Sequence, residues 1–170
     1  MVLLEALDDY HKQGFNVPKI AFVTKANSGS HMMEIYNQIY LEHPEYSHLW
    51  FNLEGKPLIL GKTSAPEFTE DFIEFFTIKY AQWSRESIHD DDGFPWMSFE
   101  RPQHLYGKHS ETSIISVSVA QHTGSLAFSN GAFYGDESLR SRSYHNGKED
   151  KSDDAYLYGY NFAEQFEYRL

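Results

Sequence analysis

Hydrophobic positions along this chain alternate between a helical and a strand period. Leu3, Leu4, Leu7 and Tyr10 recur at helical spacing across residues 3–13, so the chain opens inside a helix. Gly14 suits the position just past its end, and Asn16-Val17-Pro18 a short connection. Residues 19–24 (KIAFVT) are a compact apolar run, the pattern of a strand buried on both faces. After a polar loop at 25–29, Ser30 suits the N-cap of a second helix carrying Met33, Ile35, Tyr36 and Ile39, which stops before Pro44.

The alternation then repeats. A Gly-Lys-Pro turn within residues 49–61 feeds a strand at 57–60, and residues 66–69 open a helix that runs through Phe75. Residues 76–83 (FTIKYAQW) read as a short strand or an extended connection. An acidic loop at 89–93 leads to a third strand candidate, 95–100 (PWMSFE). The strongest strand signal is 113–121 (SIISVSVAQ), β-branched through its first half. Residues 122–156 are rich in Gly, Ser, Asn, Asp and Arg and read as one long irregular excursion, and 159–170 fit a final helix.

This order predicts an α/β chain in which single buried strands are followed by polar loops, as in part of a (β/α)8 barrel. A doubly wound sheet is the alternative, but no Gly-x-Gly-x-x-Gly follows any strand. The chain begins and ends in helices, and four or five strands cannot close a barrel, which needs roughly 200 residues or more. We therefore expect an incomplete (β/α)8 TIM barrel, its central to C-terminal part, as a single partial domain over residues 1–170. Half a barrel leaves apolar strand surface uncovered, so poor solubility is expected with it.

Composition narrows the partners. A net charge of -11 repels a polyanion on average, which disfavours a nucleic-acid role. No run approaches the roughly 18 apolar residues of a membrane span, and residues 1–15 lack the basic and apolar regions of a signal peptide. Zero cysteines exclude disulfides, thiolate metal sites and cysteine nucleophiles. Aromatic residues reach 16%, more than a core alone invites. The surplus of Tyr and Trp suits surfaces that stack the apolar C–H faces of sugars.

There is no Gly-x-Ser-x-Gly, phosphate-loop or His-Glu-x-x-His motif. Asp90-Asp91-Asp92-Gly93 lacks the alternating ligands and distal Glu of a calcium loop and reads as a solvated acidic turn. His104 and His109 lack a carboxylate at useful metal-ligand spacing. More informative are polar residues at predicted C-terminal strand ends, where barrel enzymes carry their chemistry: Thr24-Lys25, Gly61-Lys62-Thr63, Ser98-Phe99-Glu100 and Gln121-His122. The plain alternative is that strands end where polar loops begin.

Glu100, between Phe99 and Arg101-Pro102, is the candidate for acid/base or nucleophile work, and His122 for proton transfer. Glycosidic cleavage needs two carboxyls, and a second is hard to find: Glu164 and Glu167 share a helical face that solvation explains better. Gln121, Lys25 and Lys62 are candidates to hold sugar hydroxyls, with Trp83, Trp96 and Tyr144 as stacking platforms. Residues 140–145, containing Arg142, form the one dense basic patch. It suits a uronate, sulfate or phosphate, or it pins its loop to the acidic stretch 149–154, which we favour.

In order, KIAFVTKANSGSHMMEIYNQIY, LWFNLEGKPLILG, SVSVAQH, SRSYH and GYNFAEQFEY resemble the glycoside hydrolase family 71/99-like barrels of carbohydrate-degrading Bacteroidetes, over roughly residues 16–168. The resemblance implies a TIM-barrel module acting on polysaccharide, periplasmic or secreted in its usual context. It also implies a further strand ending in a Trp-Asn-Glu-Trp-like motif beyond the segment matching NFAEQFEY. A second carboxylate and an export signal would then lie outside this sequence. The expectation is a glycoside hydrolase needing no cofactor or metal, with a non-catalytic carbohydrate-binding barrel as the alternative. A metal-dependent barrel hydrolase using His104, His109 or His122 is the weaker third. Nothing in the sequence fixes an oligomeric state.

Overall fold

The computed structural model describes residues 1–83, 86–95, 104–107, 113–117, 143–145, 148–150, 152, 154, 157–160 and 162–163. Helix α1 (Val2–Lys12) forms where the Leu spacing predicts it, with Glu5 in its first turn and His11 and Lys12 in its last, each the charge its helix end favours. Strand β1 is Phe22–Val23, shorter than the apolar run, although Ile20 adds a parallel bridge to Trp50. It is not buried on both faces: Val23 is 64% exposed.

Helix α2 (Ser28–Ile35) starts two residues before the expected cap, after Asn27 in a left-handed conformation. The reason is Ser28, whose buried hydroxyl is needed elsewhere. It lies 2.7 Å from Thr24 Oγ1 and accepts the backbone N–H of Lys62 at 2.9 Å. The helix continues as a π turn (Tyr36–Leu41), and a 3-10 helix (Pro44–Leu49) begins at the predicted proline.

Strands β2 (Asn52–Leu53) and β3 (Lys56–Gly61) form an antiparallel hairpin. Its turn is Glu54-Gly55, both at positive φ, rather than Gly-Lys-Pro, because a two-residue hairpin turn of this hand needs φ > 0 at both centres. Thr69 caps α3 (Glu70–Phe75) by accepting the Phe72 N–H at 3.2 Å. The ambiguous segment after it is a strand, β4 (Thr77–Gln82). Strand β5 (Gly93–Pro95) begins ahead of the predicted 95–100 run, whose remainder lies outside the described residues.

The sheet is mixed but mostly parallel: β1-β3-β4-β5 are parallel neighbours in chain order, with β2 added antiparallel to β3. It does not close among the described residues. Alternation along β3 divides its side chains. Ile59 faces the helices and joins Leu4, Met32, Tyr36, Tyr40, Leu49, Trp50, Phe72 and Phe76 in one core. Aromatic rings pack on one another within it: the Tyr40 and Trp50 rings lie 4.4 Å apart, and Tyr36 meets Phe72 edge-on at 5.6 Å. Leu58 and Leu60 face the other way, with Ala81 and the partly buried Ala21, Leu53 and Phe94. Every described helix from α1 to α3 thus packs on one face.

Two expectations need correction. Among the described residues of the run 113–121, the strand is β7 (Ile114–Ile115), paired antiparallel with β6 (Leu105–Tyr106) and outside the main sheet, while 118–121 lie outside the described set. Nor is 122–156 irregular throughout, since β8 (Ser143–His145) and β9 (Lys148–Asp150) pair as an antiparallel hairpin. That hairpin aligns the backbone of Tyr144 with that of Glu149, so the end of the basic patch runs beside the start of the acidic stretch. The predicted final helix is helical at Tyr160 and at Phe162 and Ala163; residues 164–170 lie outside the described set.

Candidate functional site

The C-terminal ends of β1, β3 and β4 meet on one edge of the sheet. Gly61, last in β3, is required there: a Cβ would collide with Thr24 Oγ1, Ser28 Oγ and Met32 Sδ. Thr24 Oγ1 also reaches the Leu60 carbonyl at 3.2 Å, so the ends of β1 and β3 and the start of α2 are locked as a unit. From this platform Lys25 projects towards the loop that follows β4.

That loop is anchored by Gln82, the last residue of β4 and 1% exposed. Its Oε1 accepts the His89 backbone N–H at 3.0 Å, and its Nε2 donates to the Trp83 carbonyl at 2.9 Å. A fully buried amide satisfied on both ends fixes both limbs of the loop to the sheet. Carried on those limbs are Trp83, Glu86 and His89.

Glu86 is the electrostatic centre. Lys25 donates to its Oε1, and the Tyr80 hydroxyl donates to its Oε2 at 3.1 Å. Partial burial pushes the Glu86 carboxyl up, but the hydrogen bonds from Lys25 and Tyr80 outweigh it and hold it below the usual carboxylate range. Burial, then the bond to Glu86, raises the Tyr80 phenol, which therefore stays a donor. The Lys25 ammonium sits 5.5 Å from the Trp83 ring and 6.0 Å from that of Tyr80. Trp83 itself is 36% exposed.

On the face of the sheet away from the helices, Trp83 alone of this cluster borders an apolar hollow of about 480 Å³. Val23, Leu60, Ala81 and Phe94 form its walls, one from each parallel strand, with Gln82, Trp83 and Pro95 at its border. Its size lies within the range of small-molecule sites.

The acidic turn is built into the same loop rather than merely solvated. Asp92 Oδ1 lies 3.1 Å from His89 Nδ1, and the Asp92 carbonyl accepts the Tyr80 N–H at 2.7 Å. Asp90 Oδ1 lies 2.9 Å from His104 Nε2, near enough for a charge pair although its angle makes no hydrogen bond. Among the described residues no group of three or more His, Cys, Asp or Glu side chains is arranged to hold a metal ion.

Of the residues singled out from sequence, Lys25 and Trp83 come together here. Lys62 is exposed at the neighbouring strand end, with its backbone N–H on Ser28. Glu100, His122, Trp96, Gln121 and Arg142 lie outside the described residues, and Tyr144 is described only as backbone. Sequence reasoning missed Tyr80, Gln82, Glu86 and His89. Taking 76–83 firmly as a strand would have marked the following loop as a strand-end loop and drawn attention to them.

Comparison with family models, curated proteins and solved structures returns no match for this chain. No described helix is long and apolar enough to cross a membrane.

Proposed function

We propose that this chain belongs to a (β/α)8-type barrel that acts on a poly- or oligosaccharide and hydrolyses glycosidic bonds. Parallel strands in chain order with helices on one face are what a singly wound barrel requires, whereas a doubly wound sheet reverses order and carries helices on both faces. The resemblance to glycoside hydrolase family 71/99-like barrels points the same way.

The observation that carries the reading is Glu86, an ionised carboxylate fixed by Lys25 and Tyr80 beside a half-exposed Trp83 at the strand ends. A sugar ring needs an apolar platform, donors for its hydroxyls and a negative charge near the anomeric carbon, where positive charge develops in glycosidic cleavage. Trp83, Lys25 and Glu86 supply these in turn. The carboxylate partner for Glu86, acting as acid/base, is Glu100 by its position after β5, with His122 as the alternative proton carrier.

A second reading is a carbohydrate-binding barrel without catalysis, favoured because both Glu86 oxygens are already engaged. Incubating the chain with a panel of plant, algal and host glycans separates the two. New reducing ends that disappear in Glu86→Gln are the result expected of a hydrolase. Saturable binding without new reducing ends would support the second reading and overturn the first.

A further inference from the structure

We propose that His89, oriented by Asp92 and clamped on Tyr80, is the proton-transfer residue of the strand-end site. The inference rests on the hydrolase reading above and assigns to a described residue the acid/base role that sequence position alone gave to Glu100 or His122.

Three contacts restrict the imidazole, each in a different way. Its ring lies parallel to that of Tyr80, with centroids 3.7 Å apart and planes 9° from parallel. Its Nδ1 lies 3.1 Å from Asp92 Oδ1. Its backbone N–H is held by the buried amide of Gln82 at 3.0 Å. An ionised carboxylate accepts only, so Nδ1 is the donor, and the neutral ring carries its lone pair on Nε2. A histidine so placed has its tautomer and its plane fixed, which is how a carboxylate prepares an imidazole for acid/base work. The side chain is 38% exposed, so it is open to a substrate.

Position adds to orientation. The same Tyr80 whose ring bears His89 donates its hydroxyl to Glu86. One aromatic side chain thus holds an ionised carboxylate at its tip and an oriented imidazole on its face. This is the division of labour that a carboxylate nucleophile and a separate acid/base require.

The chemistry balances with these two groups. In the first half, imidazolium His89 gives its Nε2 proton to the glycosidic oxygen as that oxygen leaves the anomeric carbon, and a Glu86 oxygen bonds to the same carbon. In the second half, neutral His89 takes a proton from water while the water oxygen bonds to the anomeric carbon. The bond from that carbon to the Glu86 oxygen breaks as the water oxygen arrives, restoring carboxylate and imidazolium. Asp92 holds the orientation of the ring through both halves.

The test uses the full chain and two readouts. Long-range 15N–1H spectra of the histidines at high pH, with each assigned through its His→Gln variant, report the neutral tautomer. The expected result is a proton on Nδ1 of His89, moving towards Nε2 in Asp92→Asn. A wild-type His89 protonated on Nε2 overturns the proposal whether or not any glycan is cleaved. On a glycan that the wild type cleaves, His89→Gln is expected to lower kcat roughly 10²–10⁴-fold and to remove one limb of the pH profile, with KM little changed. Asp92→Asn should shift that limb. If His89→Gln keeps its activity while Glu100→Gln loses it, the role returns to Glu100. A wild type that cleaves no glycan overturns the hydrolase reading and the proton-transfer role with it, whereas an Nε2-protonated His89 in a wild type that does cleave overturns the role alone.

Discussion

The two faces of the parallel sheet are built from the same strands and behave differently. On the helix side, Ile59 meets Phe72, Phe76, Tyr36, Tyr40 and Trp50 in a dry core where ring packs on ring. On the other side, Leu60, Ala81 and Phe94 are joined by the largely exposed Val23 around a hollow, with charges at the strand ends. One residue step along β3, from Ile59 to Leu60, crosses between the two regimes. The lesson is that one face is closed by helices, while among the described residues the other carries an apolar hollow.

Mutations sharpen that contrast. Phe72→Ala, at a side chain with no exposure, should cost about 3–5 kcal/mol in urea unfolding. A loss under about 1 kcal/mol would mean that the helix side is not the packed face. Gln82→Ala should cost less, about 1–2 kcal/mol, because it strands the His89 N–H beneath the loop. Its larger consequence should be local, seen as faster hydrogen exchange at His89 than in β4.

Acid should act on the strand-end side first. Glu86 is held below its ordinary value, so its contribution is fully present above the ordinary carboxylate pKa of about 4.3 and is lost as pH falls through the lower folded value. Trp83 fluorescence should therefore change below about pH 4.3 before global unfolding, and Glu86→Gln should flatten that early step. The smallest effect belongs to Val23→Ala, expected within about 0.5 kcal/mol because the side chain is already mostly in water.

Much of the helix-side architecture was legible in the sequence. Leu4 and Leu7 announced α1, the segment 66–69 announced α3 although the helix starts only at Glu70, and the apolar run around Ile59 announced β3, because local spacing decides such elements. Less was legible where tertiary contacts decide. The start of α2 moved to Ser28 because that hydroxyl bonds across 34 residues to Lys62. The isoleucines at 114–115 pair with Leu105–Tyr106 instead of joining the main sheet. Lys25 and Trp83 were found by their strand-end position and aromatic character. Glu86 and His89 were not, because nothing local marks a Glu and a His in a polar loop. Tyr80 gathers them, and it was read within a segment whose strand character was left open.

The central claim is that the strand-end cluster of Lys25, Trp83 and Glu86 binds sugar. The most direct measurement is an NMR titration of the chain with neutral and acidic oligosaccharides, following the Trp83 indole N–H and the Lys25 amide. We expect saturable shifts at both, with the Lys25 shift lost in Trp83→Ala while the signals of the buried Trp50 stay in place. Shifts absent at every sugar concentration, or a Lys25 shift equally large in Trp83→Ala, would contradict the claim.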